Sequence, residues 1–157
     1  MQASKPIASQ IRGVHHTAVC VRDFSNAKSF YTGFLGFEVE GEMVARDEPA
    51  LGTVVGLSGA VVDWAMLRRG GQRLELFAYR SHNGTDDPGL QCDVGYTHMA
   101  MEVDDVDLAY QAVTEAGYAC LSPPQELRGG RTKVFYMEGP ERVVVEFIEL
   151  RPTGEYA

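Results

Sequence analysis

Two histidines and two glutamates stand at corresponding places along the chain and could together bind a metal ion. His16 and His98 open two similar segments, and Glu75 and Glu146 follow further along, each within an apolar stretch. A lone carboxylate among apolar side chains is costly unless it is protonated or paired, and a bound cation removes that cost. Two neutral imidazoles and two carboxylates suit a borderline divalent ion such as Zn, Ni, Co, Mn or Fe.

The alternation of side chains along a strand places these four residues on faces away from the helices. In the first predicted strand, Val19 and Val21 form the apolar face, whereas His16 lies on the opposite one. The same alternation applies to the other three candidates, His98, Glu75 and Glu146. A structural histidine and a solvated glutamate are the ordinary alternatives for each residue taken singly. The metal site is predicted because all four residues lie at matching positions of the repeat and on the faces away from the helices.

The elements that carry these residues follow a β-α-β-β-β pattern that occurs twice. Residues 16–23 align with residues 98–105 at a constant offset of 82, and His, Ala, Val and Asp coincide. Asp23 and Asp105 are predicted helix N-caps, and the glycine-rich residues 50–59 predict a loop. The predicted strands span 12–22, 37–46, 60–69, 72–79, 95–103, 118–122, 132–138 and 142–150.

This pattern divides the chain into five predicted segments. They are a flexible N-terminal lead over 1–11, a first βαβββ module over 12–79, a linker over 80–94, a second βαβββ module over 95–150 and a C-terminal tail over 151–157. The linker is inferred from its polar composition and from its Asn-Gly and Pro-Gly pairs.

The composition argues against several classes of function. With 14 basic and 22 acidic residues, the formal net charge of −8 disfavours nucleic acid as a partner. The three cysteines form no CxxC pair, which disfavours a disulfide framework and a thiolate zinc site. No apolar run approaches the roughly 20 residues that a membrane crossing needs, and the N-terminus does not resemble a signal peptide. A cytoplasmic protein without a membrane partner is expected.

Three stretches of the sequence carry a resemblance to a known family. They are the run from His16 through Val21 and Asp23 to Phe37, the run from Gly95 through His98 to Asp105, and Gly139-Pro140 followed by Glu146. Over roughly residues 12–150 the chain resembles the vicinal oxygen chelate superfamily, which includes glyoxalase I, methylmalonyl-CoA epimerase, extradiol dioxygenases, fosfomycin-resistance enzymes and bleomycin-binding proteins.

The resemblance implies an α+β fold in which two βαβββ modules form an open, U-shaped, eight-stranded mixed sheet around a metal site. It also implies that His16, Glu75, His98 and Glu146 hold one divalent ion per chain, whose identity stays open. Many members are homodimers, so a homodimer is expected.

The first functional hypothesis is a metal-dependent lyase or isomerase of the glyoxalase or epimerase type. The ion would stabilise the enolate of a small carbonyl or thioester substrate. Glu75 or Glu146 would move the proton next to the carbonyl, so both are candidate catalytic residues.

Two other functions remain open at this point. His16, His98 and Glu146 could form the facial triad of an Fe(II)-dependent extradiol-type dioxygenase, although relatives of that kind usually lack a carboxylate at the place of Glu75. A non-catalytic small-molecule or drug-binding resistance protein is the third possibility. Glu48 and His82 are weaker candidates for an additional acid or base.

Aromatic and apolar side chains of the third and fourth strands could form the wall of a substrate pocket. The candidates for substrate binding are Trp64, Met66, Phe77 and Tyr79. Their alternative role is ordinary core packing, because both faces of the sheet could be covered.

Overall fold

The computed structural model describes residues 7–87 and 89–151, and the chain divides into two compact units. Unit 1 is Met1–Asn83 and unit 2 is Gly84–Ala157. The predicted lead and tail fall largely outside the described residues, although Ile7–Gln10 forms a short 3-10 helix. Among the described residues, no helix has the length and apolar content that a membrane crossing requires.

Unit 1 has a four-stranded mixed sheet in its described part, with the strand order β1-β4-β3-β2. The first strand is parallel to the fourth, and the other neighbours are antiparallel. The elements are β1 Thr17–Cys20, α1 Phe24–Ser29, β2 Glu38–Arg46, α2 Pro49–Val55, β3 Val62–Arg69 and β4 Gln72–Tyr79.

The first helix forms where the sequence predicts it. The Asp23 side chain accepts a hydrogen bond from the backbone N–H of Asn26 at 2.9 Å, which confirms the predicted N-cap. Phe24 and Ala27 are buried on one side of α1. The chain continues through one π-helical stretch, Phe30–Phe34, before it enters β2. The helix is therefore held by its cap and by the apolar side that it buries.

The second helix was not predicted, since its glycines indicated a loop. Pro49 occupies the first turn of α2, where its missing N–H costs nothing, and Gly56 ends the helix with a φ of +72°. A Cβ on Gly52 would lie 2.8 Å from the carbonyl oxygen of Leu57, so glycine allows this close return of the chain. The prediction of a loop was wrong because these cap signals were interpreted as loop signals.

Unit 2 repeats the arrangement with one additional strand. Its described residues form a five-stranded sheet in which β5, β9, β8 and β6 are neighbours in that order and β7 pairs with β8. Here β5 is parallel to β9 and the other pairs are antiparallel. The elements are β5 Met99–Glu102, α3 Val106–Glu115, β6 Ala119–Cys120, β7 Gln125–Leu127, β8 Thr132–Glu138 and β9 Val144–Leu150.

The predicted α+β class with two βαβββ modules is confirmed, with some differences in its strands. In the described residues the strands belong to two sheets, of four and five strands, where one sheet of eight was predicted. The extra strand, β7, is three residues long and fully exposed, so it has no apolar alternation that could reveal it. The first strand of each module is also shorter than predicted.

The alternation of faces in β4 is confirmed. Leu74 and Leu76 are fully buried, whereas Arg73, Glu75 and Phe77 between and beside them are only partly so. The buried side faces the module's helix, because the β4 backbone lies next to α1. The partly exposed side is therefore the face on which a ligand site can form.

The helix of unit 2 provides a direct test of N-capping. The carboxylate of Asp105 accepts hydrogen bonds from the backbone N–H groups of Asp107 and Leu108 at 2.9 and 3.0 Å. We expect Asp105→Ala to lower the free energy of unfolding by about 1 kcal/mol, because both N–H groups lose their acceptor. Urea denaturation measures this change. The neighbouring exposed Asp104 lies outside the cap, so Asp104→Ala should change stability by less than about 0.5 kcal/mol; equal losses in both variants would contradict the account.

Candidate metal centre

The first histidine and glutamate meet at the start of the unit 1 sheet. His16 lies immediately before β1, and its Nε2 atom is 2.9 Å from Oε2 of Glu75 in β4. The side chains of His16 and Glu75 keep 34% and 15% of their exposure, so both are partly shielded from water. The structure thus brings together one imidazole and one carboxylate of the predicted set.

The second pair repeats this geometry in unit 2. The Nε2 atom of His98, immediately before β5, is 3.2 Å from Oε2 of Glu146 in β9. The side chains of His98 and Glu146 keep 30% and 12% of their exposure. The same two atom types therefore face each other at the same place of both modules.

A small residue opposite each glutamate leaves room for the contact between the histidine and the carboxylate. In the parallel pairing of β1 with β4, Ala18 lies opposite Glu75, and in that of β5 with β9, Ala100 lies opposite Glu146. Each alanine comes two residues after its histidine in the sequence. A larger side chain at either alanine would compete with the carboxylate for this space.

The second ring nitrogen of each histidine contacts the residue before it. Nδ1 of His98 is 3.2 Å from the hydroxyl oxygen of Thr97, and Nδ1 of His16 is 2.8 Å from Nδ1 of His15. With the proton on Nδ1, each Nε2 would be left available to a metal, as is usual for metal-binding histidines.

Each glutamate also has an aromatic hydrogen-bond donor. The indole N–H of Trp64 donates to Oε1 of Glu75 at 2.6 Å. In unit 2 Tyr136 lies directly opposite Glu146 across β8 and β9. Burial, together with the charge and the hydrogen bond of Glu146, raises the pKa of Tyr136, so that the phenol stays protonated and donates at neutral pH.

A further tyrosine ties the segment before β5 to the sheet. The hydroxyl of Tyr96 donates to the carbonyl oxygen of Val144 at 3.1 Å. Tyr96 precedes His98 by two residues and Val144 precedes Glu146 by two, so this bond links the segment that carries His98 to the start of β9. Burial raises the pKa of Tyr96 to about 12, so the phenol remains a donor throughout the physiological range.

The other predicted pocket residues lie on the same face of the unit 1 sheet as Glu75. Met66 is directly opposite Glu75 in the pairing of β3 with β4. The rings of Phe77 and Tyr79 stack with centroids 6.0 Å apart and pack, like Trp64, against the buried cluster Leu51, Ala60 and Val62. Burial, then the nearby Cys20 and Glu75, raises the pKa of Tyr79. These side chains therefore lie beside the Glu75 carboxylate on that face of the sheet.

The weaker candidates lie elsewhere in their own units. Glu48, at the N-cap position of α2, is bonded to Arg46, and His82 contacts the hydroxyl of Ser81 at 2.8 Å. Within the described residues of either unit, no third His, Cys, Asp or Glu joins the pair of ligands. Each unit by itself thus supplies two of the four predicted ligands.

Sequence reasoning missed the partners of the ligands. The contact of His15 with His16 could not be found from strand alternation, because β1 begins only at Thr17. Thr97 stands before His98 as His15 stands before His16, so the repeat itself contained this signal. Tyr136 could have been found from its position opposite Glu146, had the register of β8 and β9 been known.

Comparison with known proteins establishes the family. The Glyoxalase family model, described as the glyoxalase/bleomycin resistance protein/dioxygenase superfamily, matches residues 13–147. Because this match spans most of the chain and the fold consists of two βαβββ modules, the chain belongs to this superfamily, the vicinal oxygen chelate group. The group contains enzymes as well as non-catalytic members.

Individual relatives are distant in sequence. The chain is 25% identical over 142 residues to the uncharacterised protein YwkD of Bacillus subtilis, covering 88% of this chain and 98% of that one. A glyoxalase family protein from Bacillus cereus has a similar structure, with a TM-score of 0.80 at 21% identity, covering 96% and 99% of the two chains. A fosfomycin resistance protein, FosX, from Listeria monocytogenes, in complex with Mn(II) and sulfate, gives a TM-score of 0.62 at 12% identity, covering 93% and 95%. These structural likenesses show the fold.

Proposed function

We propose that the protein is a divalent-metal-dependent lyase or isomerase of the glyoxalase or epimerase type, acting on a small carbonyl or thioester substrate. The observation that carries the proposal is the repeated pair, in which a histidine Nε2 faces a glutamate Oε2 at 2.9 Å in unit 1 and at 3.2 Å in unit 2. A structural ion pair has no need to recur at the same place of both modules. A site with one imidazole and one carboxylate from each module accounts for the repetition.

The donor set fits a divalent ion held by His16, Glu75, His98 and Glu146. Nitrogen and oxygen donors of this kind bind borderline ions such as Zn, Ni, Co, Mn or Fe. With their protons on Nδ1, next to the preceding residues, both histidines would coordinate the ion through Nε2. The Mn(II) complex of the structurally similar FosX protein supports a divalent ion in this fold. We therefore propose one ion per chain, of an identity that remains to be measured.

When bound, such an ion acts as a Lewis acid that holds neighbouring substrate oxygens and stabilises negative charge on them. The chain's own carboxylates perform the proton transfer, since Glu75 or Glu146 accepts the proton from the carbon next to the carbonyl at a carboxylate oxygen. Met66, Phe77 and Tyr79 provide apolar surface beside Glu75, which favours an organic substrate and limits the access of water.

The proposed reaction can be tested by hydrogen exchange at the substrate. In deuterium oxide, the metal-loaded protein should introduce deuterium at the α-carbon of a small 2-hydroxy, 2-keto or thioester compound. The glutamate that acts as base should be identified by its glutamine variant. That variant, Glu75→Gln or Glu146→Gln, should lose roughly 10²–10⁴-fold in the exchange rate when measured at a Mn(II) concentration that saturates its metal site.

The alternatives predict different results in the same experiment. Oxygen uptake with a catechol, without α-carbon exchange, would establish the extradiol-type dioxygenase instead. Tight binding of a small molecule without any turnover would identify a binding or resistance protein. Either outcome would overturn the proposed lyase or isomerase activity.

The location and assembly of the protein belong to the same proposal. We propose a cytoplasmic homodimer with a small-molecule substrate and without nucleic-acid or membrane partners. Sedimentation equilibrium of the metal-loaded chain tests the assembly, because a homodimer has twice the chain mass of 17.2 kDa.

A further inference from the structure

We infer that Trp64 is a positioning residue that commits Glu75 to binding the metal through a single oxygen. This inference rests on the proposed function, since it assigns a role toward the proposed ion. It changes the predicted role of Trp64 from a wall of the substrate pocket to a support of a metal ligand.

The two oxygens of Glu75 have different partners. Oε1 accepts the indole N–H of Trp64 at 2.6 Å, and Oε2 faces Nε2 of His16 at 2.9 Å. An indole N–H can only donate, so its hydrogen bond occupies Oε1. Oε2, which faces His16, is therefore the Glu75 oxygen that remains available to a cation.

The indole ring is held in place on several sides. The guanidinium of Arg46 lies 5.7 Å from the ring centroid. The ring edge approaches Gly41 so closely that a Cβ there would lie 3.4 Å from it. The ring also packs against the cluster formed by Leu51, Ala60 and Val62. A ring fixed in this way is suited to hold a carboxylate, because its rotamer is set by packing.

The second module uses a different donor for the same purpose. Tyr136 lies directly opposite Glu146, whereas Trp64 lies opposite Phe77 and reaches Glu75 diagonally from two residues away. The two donors thus occupy non-equivalent places of the repeat but both hydrogen-bond to the glutamate. Each glutamate therefore has its own aromatic hydrogen-bond donor. This favours a functional role for the hydrogen bond over coincidental packing.

The test compares Mn(II) affinity in single and double variants, measured by competition with a chromophoric chelator. We expect Trp64→Phe, which keeps the ring but removes the N–H, to weaken Mn(II) binding by roughly 10–100-fold. In a Glu75→Gln background the same change should have little further effect, within about threefold, because the supported ligand is already absent. In a Glu146→Gln background it should keep its full effect. Tyr110→Phe is the matched control, since it also removes a polar hydrogen from an aromatic ring but lies on α3 against Phe135, and it should leave the affinity within about threefold.

A second readout uses the protein's own fluorescence, because Trp64 is the single tryptophan of the chain. Co(II) or Ni(II) should quench its emission in the unaltered protein, and Glu75→Gln should abolish that quenching at the same metal concentration. Wild-type Mn(II) affinity in a folded Trp64→Phe variant would overturn the inference and leave Trp64 as a pocket wall. If instead both Glu75→Gln and His98→Ala kept the wild-type affinity, the proposed metal site itself would be wrong.

Discussion

His98→Ala should lower the affinity for a divalent ion by roughly 100-fold or more. Loss of an outer partner of a ligand typically costs 10–100-fold, and removal of the ligand itself should cost at least as much. The variant should remain folded, because the His98 side chain is 30% exposed and lies immediately before β5, outside the core. Isothermal titration with Mn(II) measures the affinity, and near-UV circular dichroism checks the fold.

The same loss is expected for His16→Ala, since the proposed site takes one histidine–glutamate pair from each module. His82 supplies the control, because this histidine is bonded to Ser81 and is not one of the proposed ligands. His82→Ala should leave Mn(II) affinity unchanged. A loss confined to one of the two ligand variants would mean that a single module binds the ion, which contradicts the four-ligand site.

Phe135→Ala should strongly destabilise unit 2. Phe135 is fully buried; its ring stacks on Phe147 with centroids 5.0 Å apart and meets the edge of Tyr110 from α3 at 5.2 Å. Truncation leaves a cavity between helix and sheet, and such changes cost about 3–5 kcal/mol. This is a large part of a total stability of roughly 5–15 kcal/mol.

Urea denaturation of the metal-free protein provides the measurement for this prediction. Leu108→Ala on the same helix is the control, because Leu108 is 64% exposed and its truncation should change the unfolding free energy by less than about 0.5 kcal/mol. A loss below about 1 kcal/mol for Phe135→Ala would show that the contact between α3 and β8 contributes little to the stability of unit 2.

The faces of the strands could be predicted because a strand has a fixed period of two residues. Once Leu74 and Leu76 are assigned to the core, Glu75 must point the other way, and the structure confirms this. Both N-caps, Asp23 and Asp105, could be predicted for a similar reason, since a short acidic side chain before an apolar helical pattern has few other roles.

The ends of the strands could not be predicted, since they depend on the pairing register. The first strand was expected from residue 12 but begins at Thr17. Thr17 pairs with Leu74, and β4 begins only two residues earlier, after the turn at Gly70 and Gly71. The chain before His16 therefore has too little partner strand to pair with, which no local pattern reveals.

The contacts of individual side chains within the site could not be predicted from the sequence either. Parity puts Trp64 and Glu75 on one face, but whether the indole packs as a wall or donates to the carboxylate depends on rotamers fixed by Arg46, Gly41 and α2. Because α2 was not predicted, the packing that holds the indole could not be predicted either.

Metal stoichiometry distinguishes one ion held jointly by both histidine–glutamate pairs, as proposed, from one ion at each pair. Elemental analysis by plasma mass spectrometry, on protein purified without a histidine tag or added metal and again after titration with Mn(II), gives the number of ions per chain. The account predicts about one divalent ion per chain, which is lost in both His16→Ala and His98→Ala. Two ions per chain would mean that each histidine–glutamate pair binds its own ion. No bound ion after titration would contradict the metal centre altogether.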